Sequence, residues 1–143
     1  MLCRVRNRRC VLQLDHVVEI MRPLPLQPVA GAPEPVLGLS VIRGEPTPVI
    51  DCGALLGGDT RAMPSRLATI RCGERIAALA FEEILGVRRL SEQELKALPP
   101  LLRAGEGGAI DAIALLDAEL VFVIGRARLV PDEVWASLQA QPA

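Results

Sequence analysis

The sequence predicts a mostly β fold, built from two small barrels that share a core. Apolar and polar residues alternate over short stretches, which is the period of half-buried strands. Turn residues separate these stretches, so that about eight or nine short strands fit into 143 residues. The order of strand pair, extended strand and short helix also occurs twice along the chain. Two small barrels explain this pattern better than one large sheet, because closing a sheet removes its exposed edges.

The first strands lie close to residue 1. Cys3–Arg6 and Cys10–Leu14 flank a two-residue turn at Asn7-Arg8, which predicts a hairpin. A strand, or a strand that leads into a loop, is expected from Asp15 to Met21. Within it the side chains alternate between two faces: Val17, Glu19 and Met21 point one way, and His16, Val18 and Ile20 point the other.

A proline-rich stretch and a second hairpin follow. Proline removes backbone donors and disfavours helix, so the stretch predicts an extended, ordered connector; its prolines are Pro23, Pro25, Pro28, Pro33 and Pro35. Val36–Ile42 and Pro48–Ile50 predict two strands that turn at Arg43-Gly44-Glu45, where Gly44 can supply a positive φ. Because Pro46 and Pro48 weaken a central strand, we expect the second strand to begin at a sheet edge.

The rest of the chain predicts two more hairpins and several short helices. The hairpins pair Leu67–Cys72 with Arg75–Phe81, and Ile110–Leu116 with Leu120–Ile124 across Asp117-Ala118. Ile84–Leu90 is expected to be a strand. Three helical segments are predicted: a turn capped by Asp51 that ends at Gly57-Gly58, a helix over Ser91–Leu98 opened by the capping box of Ser91 and Glu94, and a terminal helix from Asp132 to Gln141.

Composition excludes several classes of protein. Sixteen basic and seventeen acidic residues give a net charge of -1, so there is no global field to attract nucleic acid or anionic lipid. Aromatic residues make up only 2% of the chain, which argues against base-stacking platforms. Four cysteines and one histidine form no pattern of metal ligands, and we expect reduced, half-buried thiols in a cytoplasmic protein. The apolar runs are far shorter than the roughly 20 residues of a membrane span, so no direct membrane insertion is expected.

Two other functional classes have candidate residues. A small hydrolase needs a nucleophile beside a base, and His16 is the sole imidazole. Contact with Cys10 along one strand is excluded by the roughly 20 Å between them, which leaves pairing with Cys52 or Cys72 through the fold. Nucleic-acid binding is the second class, through a basic hairpin whose arginines otherwise form a solvated face: Arg4, Arg6, Arg8 and Arg9.

A spaced series of residues resembles one known family. The series runs through Val17-Val18-Glu19-Ile20, Ala32-Pro33, Val36-Leu37-Gly38, Arg43-Gly44 and Pro48-Val49-Ile50-Asp51. This ordered set resembles the CheW-like domain of bacterial chemotaxis, and the later hairpins match it more loosely, so that the resemblance covers nearly the whole chain. The sequence departs from the family pattern at Val41, where the family commonly has Asn, and at Phe81-Glu82, where it often has Val-Asp.

The resemblance implies a fold and a function. The fold is two small five-stranded, SH3-like barrels packed through a shared hydrophobic interface, here as a single CheW-like domain of intertwined barrels over residues 1–143. The function is that of a non-enzymatic adaptor without cofactor or metal. It couples the cytoplasmic tip of a methyl-accepting chemoreceptor to the regulatory domain of a CheA-type histidine kinase, in the cytoplasm at receptor arrays. The alternative is a CheW-like accessory adaptor of a non-flagellar pathway that controls pili, gliding or second-messenger output.

The resemblance also implies which residues face these partners. The receptor-facing positions fall on Val17, Glu19 and Arg43, and the structural turn glycines fall on Gly38 and Gly44. The kinase-facing surface falls on the region from Gly38 to Asp51, at four positions: Val41, Glu45, Val49 and Asp51. By its chemistry alone, Arg43 at a turn tip can reach a partner's carboxylate, or it can pair with Glu19 in an internal salt bridge that positions the loop.

Overall fold

Extended strands dominate the structure of the protein. A computed structural model describes residues 1–5, 8–32, 35–56, 64–91, 93–96, 110–125, 130 and 134–136. Within these ranges the strands are, in chain order, β1 (Leu2–Val5), β2 (Arg8–Leu12), β3 (Val17–Met21), β4 (Val36–Ile42), β5 (Glu45–Asp51), β6 (Arg66–Cys72), β7 (Arg75–Phe81), β8 (Glu83–Gly86), β9 (Leu95–Lys96), β10 (Ile110–Leu116) and β11 (Glu119–Ile124). A 3₁₀ turn covers Leu14–His16, helix α1 covers Cys52–Leu55, and residues 134–136 are helical.

The described strands form a six-stranded and a five-stranded sheet. The six-stranded sheet has the order β8-β1-β2-β11-β10-β9, and the five-stranded sheet has the order β3-β6-β7-β5-β4. Neighbouring strands are antiparallel except for the pairs β2 with β11 and β5 with β7, which are parallel. The chain begins in the six-stranded sheet, builds the whole five-stranded sheet, and then returns to complete the first.

Among the described residues, buried side chains form three groups in and between the sheets. Ile42 and Leu67 belong to the interior of the five-stranded sheet, and Leu116 and Val121 belong to that of the six-stranded sheet. A third and larger group, the shared core, draws residues from both sheets, among them Leu12, Ile50, Leu79, Phe81 and Ile124. Burial of each such side chain contributes roughly 1.5–3 kcal/mol. The prediction of a mostly β fold with two small units around a shared core is confirmed.

The predicted hairpins are confirmed. β6 and β7 pair along their full length, from Arg66 opposite Phe81 to Cys72 opposite Arg75. β10 and β11 turn at Asp117-Ala118, where both residues have positive φ, at 50° and 65°. Two successive residues of positive φ are the signature of the tight turn whose twist matches that of the strands. β1 and β2 also pair, but Arg8, expected in their turn, is the first residue of β2 and stands opposite Val5. Asn7, the other residue of the predicted turn, lies outside the described residues.

β5 begins at Glu45, three residues before the predicted start at Pro48, so both of its prolines lie inside the strand. Pro46 and Pro48 stand opposite Val41 and Leu39 of β4, whereas only Val49 to Asp51 pair with β7 on the other side. The proline half of β5 therefore has a ladder partner on one side only. The missing N–H groups cost no sheet hydrogen bond on that open side.

Two predicted elements differ from the structure. The strand expected over Ile84–Leu90 ends at Gly86. The helix expected over Ser91–Leu98 does not form in its described part, although the capping-box hydrogen bonds between Ser91 and Glu94 are present in both directions, at 3.0 and 3.3 Å. The chain instead enters β9, which pairs with the outer edge of β10, so that sheet pairing overrides the local helix signal. This extra strand makes the first sheet six-stranded instead of five-stranded.

The end of the chain is described in part. Residues 134–136 are helical, in agreement with the predicted terminal helix, and the rest of that segment lies outside the described residues. Val134 is buried in the shared core, and the Arg75 guanidinium lies 5.1 Å from the centre of the Trp135 ring. This cation–π contact and the burial of Val134 dock the helical turn against the start of β7.

Candidate functional site

The carboxylate of Glu19 stands on an edge strand whose backbone is held by a buried hydroxyl. The pairing of β3 with β6 shifts register between Val17 and Glu19, which is a β-bulge. Thr69 of β6, only 1% exposed, fills this bulge: its Oγ1 accepts a hydrogen bond from the Glu19 N–H at 3.1 Å and donates one to the Glu19 carbonyl at 3.3 Å. Thr69 therefore fixes the backbone from which the Glu19 side chain projects. Thr69 carries no signal in the sequence, because alternation alone does not predict a bulge.

Arg43 occupies the tip of the β4–β5 hairpin. Arg43 and Gly44 have φ values of 52° and 79°, so both central residues of the turn are left-handed. This conformation is typical of the two-residue turns that join twisted strands, and it is unusual for an arginine. The side chain of Arg43 is 78% exposed. The turn thus presents a long cation in solvent at the end of β4, which is the other edge strand of the same sheet.

Glu19 and Arg43 form a bidentate ion pair. Nε of Arg43 donates to Oε1 of Glu19 and Nη2 donates to Oε2, both at 2.8 Å. These hydrogen bonds lower the pKa of the Glu19 carboxyl and raise the pKa of the Arg43 guanidinium. The structure contains the internal pair, and contact of Arg43 with a partner's carboxylate stays a prediction. Because β3 and β4 are the two edges of the five-stranded sheet, the pair joins one edge to the other.

A backbone contact closes the same gap. Gln27, in the proline-rich connector after β3, exchanges two hydrogen bonds with Leu39 of β4, at 2.8 and 2.9 Å. We call the line formed by Glu19, Arg43, Gln27 and Leu39 the seam of the five-stranded sheet. The hydroxyl of Ser40 also donates to the Pro25 carbonyl at 2.9 Å, so the connector is ordered against β4, as predicted.

Gly38 permits this close approach. Its φ is +149°, and a Cβ at this position would lie 2.5 Å from the carbonyl oxygen of Gln27. Any side chain at Gly38 would push the connector away from β4. Gly44 differs, because a Cβ there would meet nothing within 4 Å, and its role is the positive φ of the turn. The two glycines expected to be structural are thus required for different reasons.

Exposed apolar side chains lie on the strands that border the seam. Val18 and Ile20 of β3 are 46% and 42% exposed, and Val41 of β4 is 69% exposed. Val17, expected to face the receptor, is instead half-buried and packs against the shared core. The alternation along β3 had already placed Val18 and Ile20 on the face opposite Glu19. Which face is exposed depends on the other sheet, and the sequence does not contain that information.

The four kinase-facing positions divide into two exposed and two buried residues. Val41 and Glu45 are exposed. Val49 is fully buried in the interior of the five-stranded sheet, and Asp51 is 6% exposed and accepts the Gly53 N–H at 3.1 Å as the cap of α1. Burial corrects the expectation that Val49 and Asp51 present side chains to a partner. Glu45, Val49 and Asp51 share one face of β5, but the strand is buried on both faces from Thr47 to Asp51, so only its first residues can meet a partner.

The basic hairpin is largely neutralised within the fold. Arg4 bonds to Glu82 and to Glu83, at 3.1 and 2.9 Å. Arg9 pairs with Glu119, and Arg8 donates to the Leu56 carbonyl at the end of α1. Three of the four arginines therefore bind groups of this chain, and Arg6 lies outside the described residues. These contacts favour a structural role for the hairpin over a role in binding nucleic acid.

The histidine and the thiols lie in different surroundings. His16 is half-buried in the 3₁₀ turn that follows β2, and not in a continuous strand with Cys10. Cys3, Cys10 and Cys52 are fully buried, and Cys72 is half-buried. The expectation of half-buried thiols therefore holds for Cys72 alone. In the part of the chain that the structure describes, no three Cys, His, Asp or Glu side chains are grouped as metal ligands, and no helix is both long enough and apolar enough to span a membrane.

Comparison with known proteins assigns the family. The CheW-like domain matches residues 1–134. Protein FrzA of Myxococcus xanthus is 30% identical over 117 residues, which cover 80% of this chain and 71% of FrzA. The crystal structure of the scaffolding protein TtCheW from Thermoanaerobacter tengcongensis superposes with a TM-score of 0.78 at 20% identity, over 91% of this chain and 90% of that one, which confirms the predicted fold. The chain therefore belongs to the CheW-like domain family, and it is a CheW-like scaffold of chemosensory signalling.

Proposed function

We propose that this chain couples the cytoplasmic tip of a chemoreceptor to the regulatory domain of a CheA-type histidine kinase, and that the seam of the five-stranded sheet docks the receptor. CheW-like proteins in general couple receptors to this kinase. The observation that carries the proposal is the Glu19–Arg43 pair, exposed at the seam between two strands that also expose apolar side chains. Apolar area beside a fixed charged group is the composition of a specific docking surface.

The geometry of Arg43 allows a partner to bind without breaking the internal pair. Glu19 engages Nε and Nη2, and Nη1 is not used in that fork. A guanidinium has five N–H donors, so Arg43 can hold Glu19 and a partner's carboxylate at once. The internal fork fixes the direction of the long side chain before binding. Less side-chain entropy is then lost when the complex forms.

The exposed half of the β4–β5 hairpin is the proposed kinase-facing surface. Val41 and Glu45 are its two exposed members among the predicted positions. Their strands turn tightly at Arg43-Gly44, so both lie close to the receptor-facing Arg43 in sequence and on the same hairpin. Each contact is modest in area, and an array in which many copies bind at once raises their combined strength through effective concentration.

The remaining expectations follow from the same assignment. We propose that residues 1–143 act as one CheW-like domain, because the shared core takes side chains from both sheets. The chain acts by binding alone, since CheW-like proteins are scaffolds and not enzymes. The hydrogen bond with Cys10 and burial raise the pKa of the Cys3 thiol, which makes it a poor nucleophile. It acts in the cytoplasm, at receptor arrays. Fluorescent fusions should form clusters that disperse when the receptors are deleted.

Charge reversal at the seam tests the docking role. Arg43→Glu and Glu19→Lys should each reduce co-purification of the receptor or of the kinase from the native cell by about tenfold or more, because each places like charges at the contact. Arg88→Glu is the matched control: Arg88 and Glu94 form an ion pair of the same 2.8 Å distance outside the seam. The melting temperature of all three variants should stay close to that of the parent, since exposed ion pairs contribute little to stability.

The charge-swapped double variant separates two roles of the pair. Glu19→Lys with Arg43→Glu can restore the internal ion pair but inverts the charges that a partner meets. If Arg43 contacts the partner, binding stays weak in the double variant. Recovery of binding would show that the pair only positions the hairpin. Unchanged binding of both single variants to every receptor and kinase would contradict the proposal as a whole.

The proteins that co-purify with the chain show which signalling pathway it serves. A kinase and receptor of a flagellar system would support chemotaxis, and deletion of the gene should then alter swimming. Partners from a system controlling pili, gliding or second-messenger output would support the accessory-adaptor alternative. Deletion should in that case leave swimming unchanged.

A further inference from the structure

Three buried cysteines meet in the shared core. Cys3 and Cys10 stand directly opposite each other on β1 and β2. Sγ of Cys10 lies 3.3 Å from Sγ of Cys52, the first residue of α1. All three side chains are fully buried. Cys10 belongs to the six-stranded sheet and Cys52 follows β5 of the five-stranded sheet, so the short Sγ–Sγ contact crosses from one sheet to the other.

This cluster is not explained by docking or by the hydrophobic pattern alone. An aliphatic residue would fill these positions and could not be oxidised to a disulfide, whereas two thiols in contact can. The side-chain hydrogen bond with Cys10 and burial raise the pKa of Cys3. For Cys10 the hydrogen bond with Cys3 acts in the opposite direction, but contact with Cys52 and burial outweigh it and raise the pKa. The thiols of Cys3 and Cys10 are therefore protonated and react slowly while the sheets are closed over them.

We propose that Cys10 and Cys52 form a disulfide when the protein meets a hydroperoxide, and that this bond ties the two sheets together covalently. One thiol attacks the peroxide and becomes a sulfenic acid, and the peroxide is reduced to water or an alcohol. The second sulfur then attacks the sulfenic sulfur, the S–S bond forms, and the hydroxyl leaves with the thiol proton as water. With hydrogen peroxide, two thiols and one peroxide give one disulfide and two waters, with two electrons passing from sulfur to oxygen.

The place of this disulfide in the fold determines how it would affect the stability of the protein. Cys10 and Cys52 are 42 residues apart in sequence and belong to different sheets. A disulfide across such a segment restricts the unfolded chain strongly, and it also prevents the two sheets from separating. Oxidation is slow because the thiols must first become accessible through opening of the shared core. Once formed, the buried disulfide is protected from reduction by cellular thiols. It therefore forms under sustained oxidation and not after brief contact with an oxidant. This inference does not depend on the proposed function.

The test uses the reduced full-length chain and hydrogen peroxide, with long incubation below the melting temperature. Each of the four cysteines lies on its own tryptic peptide, since arginines separate them along the sequence. Mass spectrometry without reduction should identify the peptide of Cys10 linked to that of Cys52, with a loss of about 2 Da from the intact mass. The oxidised protein should melt about 10 °C higher than the reduced one, and dithiothreitol should reverse the shift.

Cysteine-to-alanine variants provide the controls for this experiment. Cys10→Ala and Cys52→Ala should each abolish both the linked peptide and the shift in melting temperature, and Cys72→Ala, at the half-buried cysteine, should change neither. If an alanine variant does not fold, the peptide map of the parent chain still decides. The proposal is overturned if peroxide leaves Cys10 and Cys52 as thiols, if the linked pair is Cys3 with Cys10, or if only bonds between chains form.

Discussion

Arg43 and Glu19 join the two edge strands of the five-stranded sheet by a forked ion pair with two hydrogen bonds of 2.8 Å. One partner stands on β3, whose backbone Thr69 fixes, and the other on a turn that needs two left-handed residues. The ion pair, the Thr69 hydroxyl and the left-handed turn together fix the exposed position of the Arg43 side chain. A single substitution can alter the ion pair, the Thr69 hydroxyl or the left-handed turn separately.

The titration of Glu19 should report the ion pair directly. The Arg43 hydrogen bonds lower the carboxyl pKa below its ordinary value. The stabilisation from the pair is therefore fully present above the unfolded glutamate pKa of about 4.3, and it is lost as the pH falls through the lower folded value. NMR titration of the Glu19 carboxyl carbon should show the depressed pKa, and Arg43→Gln should return it toward the ordinary value. An unchanged Glu19 titration in Arg43→Gln would show that the fork is not populated in solution.

Thr69 should control the position of Glu19 through its hydroxyl. Thr69→Val keeps the volume but removes the group that accepts the Glu19 N–H and donates to the Glu19 carbonyl, so we expect a loss of about 1–3 kcal/mol of unfolding free energy. Amide exchange at Glu19 should accelerate, and receptor binding should weaken. Thr69→Ser keeps the hydroxyl and serves as the control, in which exchange at Glu19 stays slow. Equal exchange rates in the two variants would show that the Thr69 hydroxyl does not hold the backbone at Glu19.

Gly38 and Gly44 should respond differently to the same substitution. At Gly38 a Cβ would lie 2.5 Å from the Gln27 carbonyl oxygen, which belongs to backbone and can move only with the connector. We expect Gly38→Ala to cost about 2–4 kcal/mol and to expose the Gln27 amide to exchange. Gly44→Ala meets no neighbour and carries only the strain of its positive φ, about 1 kcal/mol. Urea denaturation of both variants tests this order, and a greater loss at Gly44 would contradict it.

The sequence was sufficient for features determined by neighbours along the chain. The turn at Arg43-Gly44, the hairpin of β6 and β7 and the capping role of Asp51 all follow from residues within a few positions of one another. The capping box of Ser91 and Glu94 shows that a local sequence signal does not always decide the secondary structure. Its hydrogen bonds form, yet the chain becomes β9, because the edge of β10 offers a partner that is distant in sequence.

The sequence pointed to Glu19 and Arg43, which the structure joins, but it did not indicate which of the neighbouring strand residues are exposed. Glu19 and Arg43 were identified together, through the family resemblance and the chemistry of a turn-tip arginine. Val17 and Val49 were expected at partner surfaces and are instead packed in the fold. Alternation places residues on two faces of a strand, but the face that meets water is fixed by the packing of the second sheet. The bulge at Glu19 and the hydroxyl of Thr69 that fills it gave no signal in the sequence.

The shared core should make the two sheets unfold together. Leu79 of β7 is fully buried where both sheets contribute side chains, so Leu79→Ala should cost about 2–5 kcal/mol through lost burial and a residual cavity. Leu120→Ala is the matched control, since Leu120 is 60% exposed on β11 and its truncation should cost no more than about 0.5 kcal/mol. Circular dichroism reports the strands of both sheets, and the fluorescence of Trp135, the sole tryptophan, reports the docked helical turn. Both signals should shift together in Leu79→Ala, because removal of a side chain from the interface weakens the contact on which each sheet depends. Two separate transitions, or equal losses from Leu79→Ala and Leu120→Ala, would show that the sheets are stable independently and that the interface between them contributes little.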